Sequence, residues 1–554
     1  VTSVAARPAH SAPAPKPRSR IVDYLTTTDH KKIGVMYLYF SFFAFLVGGI
    51  LALGIRTQLA APGGTIIKDP DTYNQLFTMH ATAMLFFFII PIWAGWGNYI
   101  VPLQIGALDM AYPRINALSF WLLPAGFVTM FSGYFVGGGP AAQGWTNYPP
   151  LSDQRFATGH GTDLWILGLA LVGISSTLGA INFMVTIFKM RAPGMTMFRM
   201  PVFTWNILVT SILTLLALPV LTSALAMLFL DRNFGASFFD PGTGGNAILW
   251  QNLFWFYSHP AVYIMILPAF GLISEVIPVF SRKPLFGYKA FVFATIGIGA
   301  LGFSVWAHHM FTTGQVLLPF FAMMTAFIAV PTGVKFFNWI ATLWQGKITF
   351  ETPMLFALGF LTMFLIGGIN GMFAAQPPID YAIHDTYWIV AHIHDVLFGG
   401  SVFGVFASFY FWYPKVTGRM MDDKLGKWHF WTTFVGFNLA FFPMHMLGLD
   451  GMPRRIASYA ANPQWATLNK ISTLGAYIIA VSIFPFVYNL WKSRKGPIAG
   501  NDPWHGNSLE WWTSSPPPVH NFDSLPPIRS ERPVLDARLE REAQARLDAE
   551  GTPE

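Results

Sequence analysis

A chain of 554 residues that is 53% hydrophobic and only 11% charged falls far short of the roughly 25% charge of soluble proteins, and its uncharged windows of more than about 20 residues exclude a large soluble enzyme. The formal net charge of +7 is carried by residues that lie between apolar segments, which marks membrane topology and excludes nucleic-acid binding. With no cysteine the chain holds no disulfide and no thiolate-bound metal, so any metal must use histidine, carboxylate or carbonyl ligands.

Residues 1–20 are Pro/Ala-rich and basic with no apolar core. They are not a signal peptide, and a disordered N-terminal tail is expected there. Apolar runs then follow near Gly34–Ile55, Phe77–Val101, Ala117–Val136, Leu164–Phe188, Val202–Leu230 and Ile248–Val279. Others lie near Phe291–Phe311, Val316–Leu343, Pro353–Ala374, Tyr387–Phe411, Phe430–Leu447 and Leu474–Leu490. Each is long enough for a tilted membrane helix at about 1.5 Å per residue. The fold class is therefore all-α: a polytopic bundle of about 12 transmembrane helices over residues 21–495. The extension over residues 496–554 is polar and Pro-rich, so it is expected to be disordered or to contact a partner. Its prolines from Pro516 to Pro518 preclude a helix there, while Pro533–Glu550 reads as a short charged helix.

Basic residues alternate in sidedness. Lys31, Lys32, Arg114, Lys189, Arg191, Arg199, Arg282, Lys283, Lys289, Lys347, Lys415, Arg419, Lys424, Lys427, Lys492, Arg494 and Lys495 all fall on one side. The other side is poor in them except at Arg454 and Arg455. This bias places both termini in the cytoplasm and asks for an even number of spans.

The chemistry sits on imidazoles inside apolar runs, which are costly there unless they bind or pair. His392 and His394, two apart on one helix, point about 200° apart. Two macrocycles flanking one helix need that spacing, and His80 in the second run is an opposing axial ligand for one of them. His308 and His309 are adjacent and diverge by about 100° on a helix, yet both reach a metal between helices. His259 is the natural third ligand, and a three-His site with an open position suits copper or non-haem iron. Tyr263, four residues after His259, shares its helix face. A packing aromatic is the ordinary reading of such a residue, but beside a metal a phenol can give a proton and an electron to oxygen. Lys335 lies in the eighth run with Thr325 and Thr332, and a buried lysine there is functional unless it snorkels. With Ser274 these groups line a route towards Tyr263. Asp109, flanked by Asn98 and Asn116, reads as a proton-uptake mouth, extended by Ser175 and Ser176. On the outer side His384, Asp385 and Asp380 offer a hard-metal site for Mg²⁺ or Mn²⁺, with Trp145 on the same side. Arg454 and Arg455 suit carboxylates such as haem propionates.

From about residue 20 to 530 the chain resembles subunit I of the haem-copper oxidases, of the cytochrome c oxidase type. The resemblance rests on Trp-Ala-His-His-Met at Trp306–Met310, Ala-His-Ile-His at Ala391–His394, Gly-Met-Pro-Arg-Arg at Gly451–Arg455 and Pro-Thr-Gly-Val-Lys at Pro331–Lys335. Ser514–Phe522 looks like actinobacterial members. The resemblance implies low-spin haem a on His80 and His394, high-spin haem a3 on His392, and copper B on His259, His308 and His309. It further implies a Tyr263–His259 covalent link, one proton channel through Lys335, Thr332 and Ser274, and another opening at Asp109, Asn98 and Asn116. It puts Mg²⁺ or Mn²⁺ on His384 and Asp385 at the boundary with subunit II, and Arg56 against the low-spin haem.

Departures from that family are informative. The glutamate usual two residues after the copper histidine is Ala261, and the chain is similar to a minority branch with a Tyr-Ser pair, here Tyr257 and Ser258. Tyr257 and Ala261 share a helix face, so the phenol hydroxyl can stand in for the carboxyl. Asp395 replaces an aromatic residue and is costly unless paired. Asn252 replaces a common histidine. The implied activity is four-electron reduction of oxygen to water with proton pumping. Implied partners are subunit II with copper A, subunit III, cytochrome c or a cytochrome c domain, a cytochrome bc complex, O2 and the lipid bilayer of the plasma membrane. The rivals are a quinol oxidase of the same superfamily and a polytopic transporter with incidental histidines.

Overall fold

The computed structural model describes residues 19–550. The expected N-terminal tail lies outside them up to residue 18, and a short helix, Arg20–Leu25, starts behind its cap Ser19. Twelve helices are long and apolar enough to cross a membrane. In chain order they are α1 (His30–Gln58), α2 (Pro70–Ile105), α3 (Pro113–Phe135), α4 (Gly161–Lys189), α5 (Val202–Phe234) and α6 (Ala247–Ser281). Then come α7 (Tyr288–Thr313), α8 (Leu318–Leu343), α9 (Thr352–Ala374), α10 (Tyr387–Thr417), α11 (Asp423–Leu449) and α12 (Pro463–Lys495). No sheet forms among the described residues, only two isolated bridges.

Local chemistry sets the ends. Asp29, Asp69, Asn246, Asp422 and Asn462 each accept backbone N–H bonds at a helix start, and Pro70 and Pro463 occupy the first turn, where no donor is lost. Gly106 ends α2 with φ 72°, and a Cβ there would come within 2.7 Å of Ala192, so only glycine fits the turn.

Burial orders the bundle. The α6 window is 89% buried and that of α8 only 17%. The helix carrying His259 and Tyr263 is thus the axis of the fold, and α8 lies at its edge. Neighbours in sequence pack together, α3 on α4, α5 on α6 and α11 on α12. The last pair meets through glycine: a Cβ on Gly475 would lie 2.2 Å from the Ala440 nitrogen.

Besides the 3₁₀ turns that end α3 and α12, three spans depart from α-helix more extensively. The expected helix through Phe291–Phe311 ends at Leu301, and 3₁₀ turns carry the chain over Gly302–Ser304 and Trp306–Thr313. Gly302 and Ser304 mark the break, as small residues of this kind do. In α2 and α10, π-helical turns cover Ala83–Ile89 and Leu397–Val402, each starting just past His80 or His394.

The C-terminal extension is ordered, where a disordered tail was one of the two expectations. It folds back on the bundle, and Leu509, Trp511, Phe522, Ile528 and Val534 join the continuous core. The Lys415 ammonium, fully buried in α10, donates to the carbonyls of Asn501 (3.0 Å) and Thr513 (2.7 Å). Asn521 bonds His30 at 3.0 Å. The terminal helix Pro533–Glu550 forms as read.

Candidate metal centre

His259 of α6 and His308 and His309 of the α7 3₁₀ turn converge. One donor atom from each lies within 4.8 Å of the others, the only such grouping of three histidine or acidic side chains among the described residues. His309 Nε2 sits 3.3 Å from His259 Nδ1 and 3.1 Å from His308 Nε2. A 3₁₀ turn rotates about 120° per residue, so the adjacent histidines fan apart and still close on one point. Thr325 Oγ1 lies 3.0 Å from His308 Nδ1, and Trp255 stacks on His309 with ring centroids 3.8 Å apart. Those contacts hold the rings and leave the inward nitrogens for a metal. His259 Nε2 is buried with no partner, and the His259 and Tyr263 ring centroids lie 4.7 Å apart. That orphaned nitrogen fits a group bound or bonded there.

A second arrangement lies between α2 and α10. The rings of His80 and His394 are parallel within 8°, with centroids 6.4 Å apart. Each Nδ1 is anchored on a carbonyl, Gly48 O at 2.8 Å and Val390 O at 2.7 Å. Both Nε2 atoms are therefore free to face one ion between them. His392, on the other side of α10, anchors its Nδ1 on Gly367 O at 3.1 Å and stacks on Trp388.

A family model described as Cytochrome C and Quinol oxidase polypeptide I matches residues 32–478. The chain belongs to this family. It is 54% identical over 529 residues to cytochrome c oxidase subunit 1 of Corynebacterium efficiens, covering 94% of this chain and 91% of that one. Against cytochrome c oxidase subunit 1 of Corynebacterium glutamicum it is 53% identical over 515 residues, 92% of this chain and 88% of the other. A solved structure of a haem-copper terminal oxidase dimer shares the fold, with TM-score 0.71 at 20% identity over 84% of each chain. The chain is thus the catalytic subunit of a haem-copper terminal oxidase, an oxidoreductase, and its histidine cluster is consistent with a metal centre of the haem-copper type.

In this oxidase subunit Lys335 does not snorkel. It is fully buried, donates to Thr295 Oγ1 at 2.5 Å and sits over the Phe291 ring at 3.6 Å. Thr295 comes from α7, a neighbour that spacing along α8 does not reveal. Thr325 serves His308 instead, Ser274 accepts from Trp339 Nε1 at 2.9 Å, and Thr332 is half-buried.

Among the residues expected to act with Asp109, Asn116 donates to Asn98 at 2.6 Å. His30 Nδ1 binds Asn98 O at 2.6 Å, and Asn521 of the extension donates to the carbonyls of Ala107 and Leu108. Burial raises the Asp109 carboxyl above its usual range, and Asp29 adds to this. Ser175 donates to Ser119 O at 2.5 Å, and the Ser119 hydroxyl lies 3.1 Å from Tyr37 OH. Sequence reading missed Tyr37, Ser119 and His30. Polar side chains on the inward face of an otherwise apolar run were the available signal. Ser176 and Tyr257 line one small cavity of about 10 Å³, closed by Phe86, Ile90 and Leu169, near the smallest space that holds one water. Tyr257 OH forms no hydrogen bond to protein, and Ser258 Oγ is buried without a partner.

On the outer side Asp385, at φ 53°, is gripped by the Arg454 guanidinium, whose Nε lies 2.5 Å from Oδ1. Burial alone would raise the Asp385 carboxyl, but Arg454, His384 and Arg455 outweigh it and hold it low. His384 Nε2 lies 3.7 Å from Asp385 and its Nδ1 3.4 Å from Asp380. Arg455 makes no such pair. It lies over Phe77 against Gly144, and burial, with Arg454 beside it, pushes it down to about 10. Trp145 packs on Trp255, the residue stacked on His309. Arg56 spends Nη2 on Asn469 and Thr473, while its Nε and Nη1 are buried without partners. Asp395 is paired, as its burial requires, with His445 at 3.2 Å and Asn370 at 3.0 Å. Asn252 accepts from Trp306 Nε1 at 3.2 Å.

Proposed function

We propose that this subunit reduces oxygen to water with electrons from cytochrome c and pumps protons across the plasma membrane. The observation that carries this is the three-histidine cluster, with His392 beside it and the parallel His80–His394 pair across α10. His80 and His394 would hold low-spin haem a, His392 high-spin haem a3, and His259, His308 and His309 copper B. When bound, those groups supply the electron storage and oxygen chemistry. The chain's own residues position and protonate.

His259 presents one nitrogen to the copper position and leaves the other beside Tyr263. The Tyr263 phenol is thereby placed to give up a proton and an electron, or to be joined to that ring. Lys335, held by Thr295 within a ring of aromatics, carries protons towards Tyr263. Asp109 takes protons up, the Asn98–Asn116 pair and the Tyr37–Ser119–Ser175 chain pass them inward, and Tyr257 receives them where a glutamate is missing. Arg56 and Arg455, each with guanidinium donors unspent on protein, would meet acidic or carbonyl substituents of the haems. His384 and Asp385 would take Mg²⁺ or Mn²⁺ with ligands completed by subunit II. Subunit III and a cytochrome bc complex complete the expected assembly.

His309→Ala tests the centre. Copper should be lost while the low-spin haem spectrum stays largely intact, because His80 and His394 lie on other helices. A full copper content in that variant overturns the assignment. Oxygen uptake driven by quinol and not by reduced cytochrome c would make the complex a quinol oxidase.

A further inference from the structure

Far from the metal centre, α6 buries a second ionisable group. Glu275 lies 16 residues past His259 on the same helix, about 24 Å along its axis. It is 9% exposed. Its Oε1 accepts from the backbone N–H of Phe203 at 3.2 Å, in the first turn of α5. Its Oε2 accepts from the Ser508 hydroxyl at 3.4 Å.

Ser508 belongs to the C-terminal extension, and two residues on is Glu510, with no exposed surface at all. Glu510 Oε1 accepts from Gln104 Nε2 at 3.1 Å, and Gln104 Oε1 is held by Thr204 at 2.8 Å. Glu510 Oε2 is buried with no donor aimed at it. Neither glutamate forms a salt bridge among the described residues. Lys415, the closest cation to Glu510, spends its ammonium on the carbonyls of Asn501, Thr513 and Ser514. Tyr288, whose hydroxyl donates to Met200 O, also faces Glu275, and Asp502, tied to Arg538, faces Lys415.

Two buried carboxylates without a cation in contact are too costly to leave both charged. One bound proton removes the conflict, and the surroundings say where it sits. Glu275 faces the N-terminus of α5, where backbone N–H groups and the helix dipole favour a negative charge. Glu510 has one oxygen held by Gln104 and no donor on the other, so it has less than Glu275 to compensate a negative charge and takes the proton. We propose that Glu275 and Glu510 form a proton-binding site that holds one proton between the bundle and the C-terminal extension. Ser508 hydrogen-bonds Glu275 within the pair. Loss of the proton leaves two carboxylates and releases H⁺ to water; no electron or cofactor takes part.

The sign of the pH effect follows. Burial raises the Glu510 carboxyl, so the docked state binds more protons than the undocked one between the ordinary carboxyl range and the raised value. Docking of the extension is then firmest at low pH and weakens as pH rises through the raised value.

Infrared spectra of the intact holoenzyme in H2O and D2O decide it. The parent should show a deuterium-sensitive C=O stretch of a protonated carboxylic acid at neutral pH that disappears in alkali. Glu510→Gln should remove that band. Glu275→Gln keeps the Gln104 bond to Glu510 and removes the like charge, so the band should disappear about one pH unit lower or more. Carboxyl bands identical to the parent in both variants would overturn the site. If Glu510→Gln does not assemble, an unmoved alkaline midpoint in Glu275→Gln does the same.

Discussion

Tyr257 shares a cavity of about 10 Å³ with Ser176 and makes no hydrogen bond to protein. In the proposed function the phenol would relay a proton through water without ionising, since its ordinary pKa is about 10. Tyr257→Phe keeps the ring's packing on Phe86 and removes only the hydroxyl. All metals should stay bound while turnover and the proton-to-electron ratio fall. Losing one hydrogen bond of about 1.4 kcal/mol costs about tenfold in rate. Adding Ala261→Glu should restore part of the loss, and vesicle pumping traces equal to the parent's in Tyr257→Phe would refute the role. Lys335→Met should leave both haems bound and slow reduction of the oxygen site by tenfold or more, read by stopped-flow absorbance. Charge compensation is the reason, because electrons on buried metals need protons to follow. The sequence marked these residues as candidates but did not show their partners. Lys335 pairs with Thr295, 40 positions away on α7, and Asp395 with His445, 50 away on α11. Pairing across helices leaves no local pattern, whereas the cost of burying a charge does, and that cost flagged both residues.

At the scale of elements, hydropathy placed every span, because in hydrocarbon the backbone must satisfy itself within a helix. It did not show how α2, α7 and α10 deviate. A π turn or a 3₁₀ turn changes which carbonyl each N–H reaches, and apolar residues satisfy all three patterns equally. The deviations lie where imidazoles must be aimed, after His80 and His394 and through His308–His309. Close helix contacts were equally hidden. Gly475 in α12 has the Ala440 nitrogen 2.2 Å from where a Cβ would stand, and Ser472 donates to Ala440 O nearby. Gly475→Ala gains about 1 kcal/mol of helix propensity. Forcing α11 and α12 apart costs about 1–3 kcal/mol, and backbone cannot yield as a side chain would. The variant should therefore melt at a lower temperature in detergent, while Gly49→Ala, with nothing within 4 Å, should not. Equal melting of both would show that the two helices relax freely.

Across the whole molecule, charge and contact give the same sidedness. Along the sequence most basic residues fall on one side of the alternating spans, and the positive-inside bias predicts that this side is cytoplasmic. The contacts join both described ends of the chain on that side. His30 opens α1, Asn521 lies in the extension, and they bond directly; Lys31 adds a bond to Asn521 at 2.8 Å. Two ends bonded to each other cannot lie on opposite sides of a bilayer, so the number of crossings is even, as twelve spans require. The terminal helix Pro533–Glu550 presents Arg546 at its exposed end, so trypsin can report which side this is. In inverted membrane vesicles it should trim the C-terminus by a few residues, seen as a small mass loss with the bundle intact. In right-side-out vesicles the chain should stay whole until detergent is added. Cleavage in right-side-out vesicles alone would reverse the assignment and, through the His30–Asn521 bond, would carry the N-terminus and the Asp109 mouth to the outer face with it. The proton-uptake reading of Asp109 would then fail too, because pumping must draw protons from the cytoplasmic side.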